Sequence, residues 1–422
     1  MSEKPPRDPH ETEKPLKDTA LPRRSTGERK ETFQELFKRL GRDLGTLSRM
    51  IKELPYNAFS AGRVSFEIIR VLEERSNGEQ VLLAERRLRH GLAGYVVIKR
   101  LHSPAGFELR QRLIEEVQLA FRLHHPVIAQ VHHLRVLEKV PYLIMEYVDG
   151  RRLDSLISAA ALLGRPLPTP LVLYITAEVA DALHYAHTLT AEEAGGRPLG
   201  IIHRDVSPRN IRVDRKSGAV KLTDFGAAFS RRVGREETPG RLLKGDLLYA
   251  SPEYLLGAEM DARSDIFSLG LVLLEALTNR HLFDVEDSQP LSESAASRAA
   301  AADELPSLPL DRMITLAEQY TGREVERVAA NLPEGLKAIL YRALGRAPSD
   351  RHPSAEDLRR ELQAQLVALA PGYGRREVAE DVARLFKEAS AQRDVAEPVE
   401  GGIDAECLDA QELASGRHER RA

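Results

Sequence analysis

Residues 201–226 read IIHRDVSPRNIRVDRKSGAVKLTDFG, and the rest of the chain is interpreted from this stretch. It sets Asp205, Asn210 and Asp224 around two short apolar runs, near Ile211 and Val220, that read as strands. Asp224 and Asn210 carry oxygen ligands, the type that Mg2+ takes. Asp205 is a carboxylate able to accept a proton from a hydroxyl. Gly226, after Asp224 and Phe225, lets the backbone turn. Each aspartate alone would read as a turn or capping residue, because Asp favours such positions. Their joint spacing outweighs that reading.

Upstream, YVVIKR places Lys99 on an alternating strand, and a helical stretch over Phe107–Leu123 carries Glu116. A lysine that leans into the interior needs a carboxylate partner, and Glu116 is the candidate. Short strand-like runs surround them at Phe66–Leu72, Val81–Ala84, Tyr95–Arg100, Ile128–Leu134 and Pro141–Tyr147. Beyond Gly150 the pattern turns helical, as at Pro170–Leu189 and Asp265–Thr278. A strand-rich part followed by a helix-rich part predicts two subdomains with a cleft between them. Phosphoryl transfer fits such a cleft. It needs metal ions to bridge phosphates, a cation on the non-transferred phosphates and a carboxylate to orient the attacking hydroxyl.

The chain has 422 residues, with 61 basic and 64 acidic side chains and a net charge of −3. That balance gives no long-range attraction to nucleic acid or to an anionic membrane. The single cysteine, Cys407, excludes an intramolecular disulfide and suits a reducing compartment. The amino terminus has no apolar core, and no run of about 18 apolar residues occurs, so neither a signal peptide nor a membrane span is expected. The expected location is cytoplasmic.

Residues 1–28 are polar and expected to be disordered. Within residues 29–55, Phe33, Leu36, Phe37, Leu40, Leu44, Leu47 and Ile51 form one apolar stripe at helical spacing. A helix over 31–54 packing on the neighbouring domain is the plain reading. Docking to a partner, or self-association, is the sharper one. A strand-rich lobe is expected over 60–149, a helical lobe over 150–370, and a further amphipathic helix with a polar tail over 371–422. Ser354, three residues before Asp357, resembles a capping box opening a helix from Ala355 to about Leu369.

The sequence resembles the eukaryotic-type serine/threonine protein kinases found in bacteria, of the kind with HRDVSPxN catalytic loops. The motifs that carry the resemblance stand in the family's order. They are VVIK with Lys99, Glu116 nine residues before His125-Pro126, MEYVDG with Met145, HRDVSPRN, DFG at Asp224, SPE ending at Glu253, SDIFSLG with Asp265, and DRHPSAEDL with Arg351. The resemblance implies an α+β two-lobed kinase fold, a β-rich N-lobe and a helical C-lobe, with ATP and Mg2+ as the groups it uses. It also implies signalling by transfer of the γ-phosphoryl group to Ser/Thr hydroxyls of proteins.

The same resemblance implies residue roles. Lys99 would contact the α- and β-phosphates and pair with Glu116. Asp205 would orient the hydroxyl, and Asn210 and Asp224 would hold the metal. Gly78, Val81 and Val97 would border the nucleotide, backbone groups of Glu146 and Val148 would meet the adenine edge, and Met145 would limit the pocket behind it. His203 and Phe225 would join an apolar column between the lobes. Arg204 would receive a phosphate on the activation loop, with Thr238 and Ser230 as candidate sites. Glu253, Arg351 and Asp265 would be structural.

The pattern departs from the family in five places. VLEERSNGEQVLLA, residues 71–84, keeps only Gly78 of the glycine-rich loop and puts Glu73 and Glu74 near the first glycine position. Ser207 replaces a lysine. Asp246 stands where a threonine contacts the catalytic aspartate. Arg212 replaces an apolar side chain beneath the adenine, and Val97 replaces an alanine above it. The reading is therefore an active protein serine/threonine kinase of weak activity. The alternatives are a pseudokinase acting as a scaffold or nucleotide-gated switch and, more distantly, a small-molecule kinase.

Overall fold

The computed structural model describes residues 56–100 except 62–63, 75–79 and 89–90; 117 and 120–225 except 138–139, 191–195 and 197; 246–283; and 310–393. The helix expected over 31–54, Glu116 with most of its helix, Gly78, Ser230, Thr238 and the polar tail lie outside the described residues.

Six strands form the first lobe: β1 (Tyr56–Ala61), β2 (Val64–Glu74), β3 (Gln80–Leu88), β4 (Gly91–Arg100), β5 (Val131–Leu137) and β6 (Val140–Glu146). Each pairs antiparallel with its neighbours in the order β1-β2-β3-β4-β6-β5. Side chains alternate across the pleat. Leu82, Ala84, Val96, Ile98 and Ile144 join Phe66 in a small core on one face. Val81, Val97 and Lys99 fall on the other, with Val81 opposite Lys99 and Val97 opposite Met145.

Two details differ from the sequence expectation. Strand β1, added to the β2 edge, was not anticipated, because YNAFSA carries no clear alternation of apolar and polar residues. The strand expected to begin at Ile128 begins at Val131. The preceding residues are used elsewhere: Ile128 bridges in parallel to Leu222, Ala129 N–H donates to Leu222 O at 2.9 Å, and Leu222 N–H donates to Val127 O at 2.6 Å. That short ladder ties the strand-rich lobe to the helical one.

The second lobe opens with β7 (Gly150–Arg152), α1 (Leu153–Leu162) and α2 (Thr169–Thr188), then β8 (Ile211–Asp214) and β9 (Val220–Leu222). It continues with α3 (Pro252–Leu255), α4 (Arg263–Thr278), α5 (Leu310–Gln319), α6 (Arg323–Val328), α7 (Glu334–Ala343), α8 (Ala355–Leu369) and α9 (Arg375–Arg393). Helix α4 is buried nearly all round, as a helix at the centre of a lobe must be. A Cβ on its Gly270 would come within 3.0–3.1 Å of Ala343 and Leu344 side chains, so glycine sets how closely α7 approaches. Pro170 suits the first turn of α2 because its missing N–H has no helical partner there. Ser354 Oγ accepts from Asp357 N–H at 3.2 Å and caps α8, which spans the range expected from the sequence. Among the described residues no helix is long and apolar enough to cross a membrane.

Candidate active site

The loop between α2 and β8 is held by one buried carboxylate. Asp265, fully buried on α4, accepts from His203 N–H at 2.8 Å and Arg204 N–H at 2.9 Å. Its Oδ2 also lies 2.8 Å from His187 Nε2. Burial alone would raise the Asp265 pKa, but the His187 hydrogen bond and charge, with His203 and the Arg204 N–H, bring it below the usual carboxylate value. Arg204 adopts φ 68°, a conformation that L side chains seldom take, and the two flanking bonds to Asp265 hold it there. His203 Nδ1 accepts the Asp205 N–H at 3.2 Å, while its Nε2 meets Thr223 O at 3.0 Å. The His203 and Phe225 rings stack edge-on at 4.4 Å, joining this loop to the segment after β9.

Three side chains named from the sequence meet around that frame. Asn210 Nδ2 donates to Asp205 O at 2.7 Å, which leaves the amide oxygen turned away from that bond. Asp224, at φ 64°, accepts from Lys99 Nζ with both oxygens, at 2.7 and 2.8 Å. Lys99 is 8% exposed and crosses from β4 to reach this carboxylate. The expected partner Glu116 lies outside the described residues; the described partner of Lys99 is Asp224. The donor set of one carboxylate and one amide oxygen suits Mg2+, which binds few protein ligands and keeps water and phosphate oxygens. Among the described residues no three His, Cys, Asp or Glu side chains converge.

Asp205 itself is gripped from an unexpected side. The backbone N–H of Asp246 donates to Asp205 Oδ1 at 2.8 Å. Thus the aspartate at the usual threonine position contacts Asp205 through its main chain. The Asp246 carboxylate accepts Leu248 N–H at 3.3 Å at the start of the 3-10 turn Leu247–Tyr249. Burial, and then the charge of Asp224, raise the Asp205 pKa. Burial, and then the charge of Asp205, push the Asp246 carboxyl up to about 6.

A group whose folded pKa lies above its unfolded value stabilises the fold fully below the unfolded pKa and loses that contribution as pH rises through the folded one. For Asp246 the window runs from the ordinary carboxylate value of 3.8 to about 6. Asp246→Asn should therefore gain stability over the parent by on the order of 2 kcal/mol between about pH 4 and pH 7.5. Denaturant unfolding at both pH values measures this. An equal difference at the two would show that Asp246 titrates normally.

The cleft has an apolar back wall. Met145, 8% exposed, lines a cavity with Val117, Val131, Leu143 and Phe225, and Asp224 stands at its edge. At the end of β6 the Glu146 N–H donates to Gln130 O at 2.8 Å, and Val148 O accepts the Gly150 N–H at 2.9 Å. The Glu146 carboxylate pairs with Lys221 on β9 at 2.8 Å. No motif marks that pair in the sequence, although Lys221 alternates with the buried Val220 and Leu222 and so must leave the core. Arg212 lies between Lys221 and Arg152 in register, on the half-buried face of β7–β9. Ser207 is buried, and Arg204 lies in the loop that Asp265 anchors. His125 Nε2, 3.2 Å from Asp181, and its ring stacked 5.2 Å from Tyr185 fasten the loop before β5 to α2.

Further down, Arg351 forms a bidentate pair with Glu253 at 2.6 and 2.7 Å, both groups being buried. Burial would raise the Glu253 pKa, but the Arg351 hydrogen bonds and charge and the Ser264 hydroxyl hold it below the ordinary value.

Comparison with known proteins adds independent findings. The family described as Protein kinase domain matches residues 86–361, well over half of the chain. The tyrosine-protein kinase MasK of Myxococcus xanthus is 33% identical over 313 residues, 73% of this chain and 44% of that protein. The serine/threonine-protein kinase PknB of Mycobacterium leprae is 31% identical over 301 residues, 70% of this chain and 42% of that protein. The chain thus spans less than half the length of these relatives. Among solved structures, the Mycobacterium tuberculosis PknI kinase domain aligns at TM-score 0.49 and 24% identity, covering 74% of this chain and 100% of that one.

Proposed function

Because the chain belongs to the protein kinase domain family, we propose that it transfers the γ-phosphoryl group of ATP to serine or threonine hydroxyls of proteins. One observation carries this reading. Lys99 of β4, Asp205 and Asn210 of the loop before β8, and Asp224 after β9 gather at one cleft between the lobes. Phosphoryl transfer draws on that set, since positioning and charge stabilisation supply most of its catalysis.

Asp205 orients the acceptor hydroxyl toward the γ-phosphorus and takes its proton as the new P–O bond forms and the bond to the ADP oxygen breaks. The Asp246 N–H keeps the Asp205 carboxylate facing the acceptor. Asn210 and Asp224 would hold Mg2+, which would supply positive charge to the phosphates. Lys99, 2.7 Å from Asp224, would hold non-transferred phosphate oxygens. Val81, Val97 and Met145 wall the nucleotide pocket, and backbone groups of Glu146 and Val148 meet the adenine edge. Arg204 reads a phosphate on Thr238 or Ser230. Proteins similar to this chain include both acceptor classes, and the assignment to Ser/Thr follows the HRDVSPRN loop and the PknB likeness.

Incubation of the purified chain with Mg-ATP, followed by phosphosite mapping, tests the proposal. Phosphoserine or phosphothreonine that disappears in Asp224→Asn is the expected result. Phosphotyrosine alone would move the acceptor class. No phosphate, with no thermal stabilisation by Mg-ATP, would favour a scaffold that has lost transfer.

A further inference from the structure

Helix α9 starts beyond the family match, yet it is built into the catalytic lobe. Val378, Val382, Leu385 and Ala389 recur along one face and are at most 6% exposed. That stripe packs against α1, the helix that follows the segment joining the two lobes. Arg165, after α1, pairs with Glu388, and the Tyr373 ring leans on Tyr174 of α2 at 6.3 Å.

Two further contacts reach the strands that frame the cleft. Arg151 on β7 lays its guanidinium over the Phe386 ring, 4.4 Å from the centroid. At the other end of α9, the Arg375 carbonyl abuts the turn between β8 and β9. A Cβ on Gly218 would lie 1.9 Å from that oxygen, so the turn and the helix end touch backbone to backbone. Strand β7 pairs with β8, Arg151 opposite Val213. β7 begins two residues after Val148, and β8 begins directly after Asn210. The helix therefore touches β7, which leaves the lobe junction, directly, and reaches its partner β8, which leaves the catalytic loop, through the turn that follows it.

We infer that α9 is a brace of the nucleotide cleft, and that Phe386, through Arg151, is a positioning residue for the nucleotide. The inference rests on the kinase reading for its effect on ATP, but its structural half stands without that reading. Phe386 touches none of the residues assigned to chemistry. Its loss frees β7 to shift relative to β8, which moves the Val148 end of the pocket and leaves Asp205 in place. A weakened grip on the nucleotide with unchanged chemistry is the signature.

The test uses the full chain with Phe386→Ala, Phe386→Leu and Phe386→Tyr. Leucine keeps apolar packing without the ring face, so it guards against simple loss of folding. Two readouts are taken: hydrogen exchange in the peptide covering 149–153, and KM for ATP beside kcat. A cation–π contact worth about 0.5–1 kcal/mol corresponds to a change of about two- to five-fold. Phe386→Leu should speed β7 exchange and raise KM by about that factor, with kcat held, and Phe386→Tyr should restore both. Parent-like exchange at β7 in Phe386→Leu and Phe386→Ala would overturn the brace. Faster β7 exchange in a chain that never phosphorylates would keep the brace and reject the kinase reading.

Discussion

Asp205→Asn is expected to slow phosphoryl transfer by about 10³-fold while leaving the protein folded and no less stable than the parent. The substitution keeps the shape of the side chain. The asparagine oxygen can still accept the Asp246 N–H, now 2.8 Å from Oδ1, and the Asp205 N–H can still donate to His203 Nδ1. Asp265 continues to hold the loop through His203 and Arg204. Only the capacity to take the hydroxyl proton is lost. Stability moves the other way from activity. Burial and the neighbouring Asp224 raise the Asp205 pKa, so its ionised form opposes folding once pH exceeds the unfolded carboxylate value. A neutral isostere removes that opposition. Single-turnover rates with Mg-ATP and unfolding at neutral pH measure the two quantities. A variant that keeps the parent rate would mean another group takes the proton.

The parts of this site that the sequence revealed are those whose chemistry forces a residue type. A carboxylate five residues before an amide, and an aspartate before Phe-Gly, stood out because few side chains can replace them. The ordered motifs then placed Lys99, Asp224 and Asp265 on elements that do come together. Contacts made by main chain escaped notice. The Asp246 N–H serves Asp205, and any non-proline residue supplies an N–H, so the position carries no mark of it. The same side chain looked like a liability when weighed by its charge alone. Strand β1 escaped for a related reason, since edge pairing draws on backbone groups and YNAFSA lacks a period-2 pattern. Helix α9 was legible as an amphipathic helix, but its partners were not. A stripe such as Val378, Val382 and Leu385 records that a face is covered, never by what.

Arg351→Ala should be the most destabilising of the single substitutions considered, at about 3–5 kcal/mol, because it breaks a buried pair and leaves a charge behind. The Arg351 side chain is wholly buried and the Glu253 side chain 7% exposed. Removing the guanidinium leaves the Glu253 carboxylate with the Ser264 hydroxyl as its remaining described side-chain donor, at 2.6 Å. It also takes donors from the carbonyls of Gly345, Arg263 and Arg346, and removes the cation from the Phe267 ring 4.8 Å away. Three carbonyls losing a donor distinguish this site from a simple ion pair. Converting both partners, Glu253→Leu with Arg351→Met, should recover part of the loss by removing the unpaired charge, and only part, because the guanidinium donors to the three carbonyls are not replaced.

The pH dependence separates these causes. In the parent, the lowered Glu253 pKa contributes stability that is present above the unfolded value of 4.5 and fades as pH falls through the folded one. Without Arg351 the same carboxyl takes up a proton more readily, so the deficit of Arg351→Ala should shrink as pH falls below about 5. The double variant, having no carboxyl there, should narrow only by what the parent itself loses as its Glu253 protonates, a smaller change than in Arg351→Ala. Denaturant unfolding across that range decides the matter, and a deficit independent of pH would assign the loss to packing alone. The consequence for activity follows from position. Glu253 lies in the first turn of α3, which follows Asp246 and the 3-10 turn within a few residues, so a loosened Glu253 should also loosen the N–H that holds Asp205.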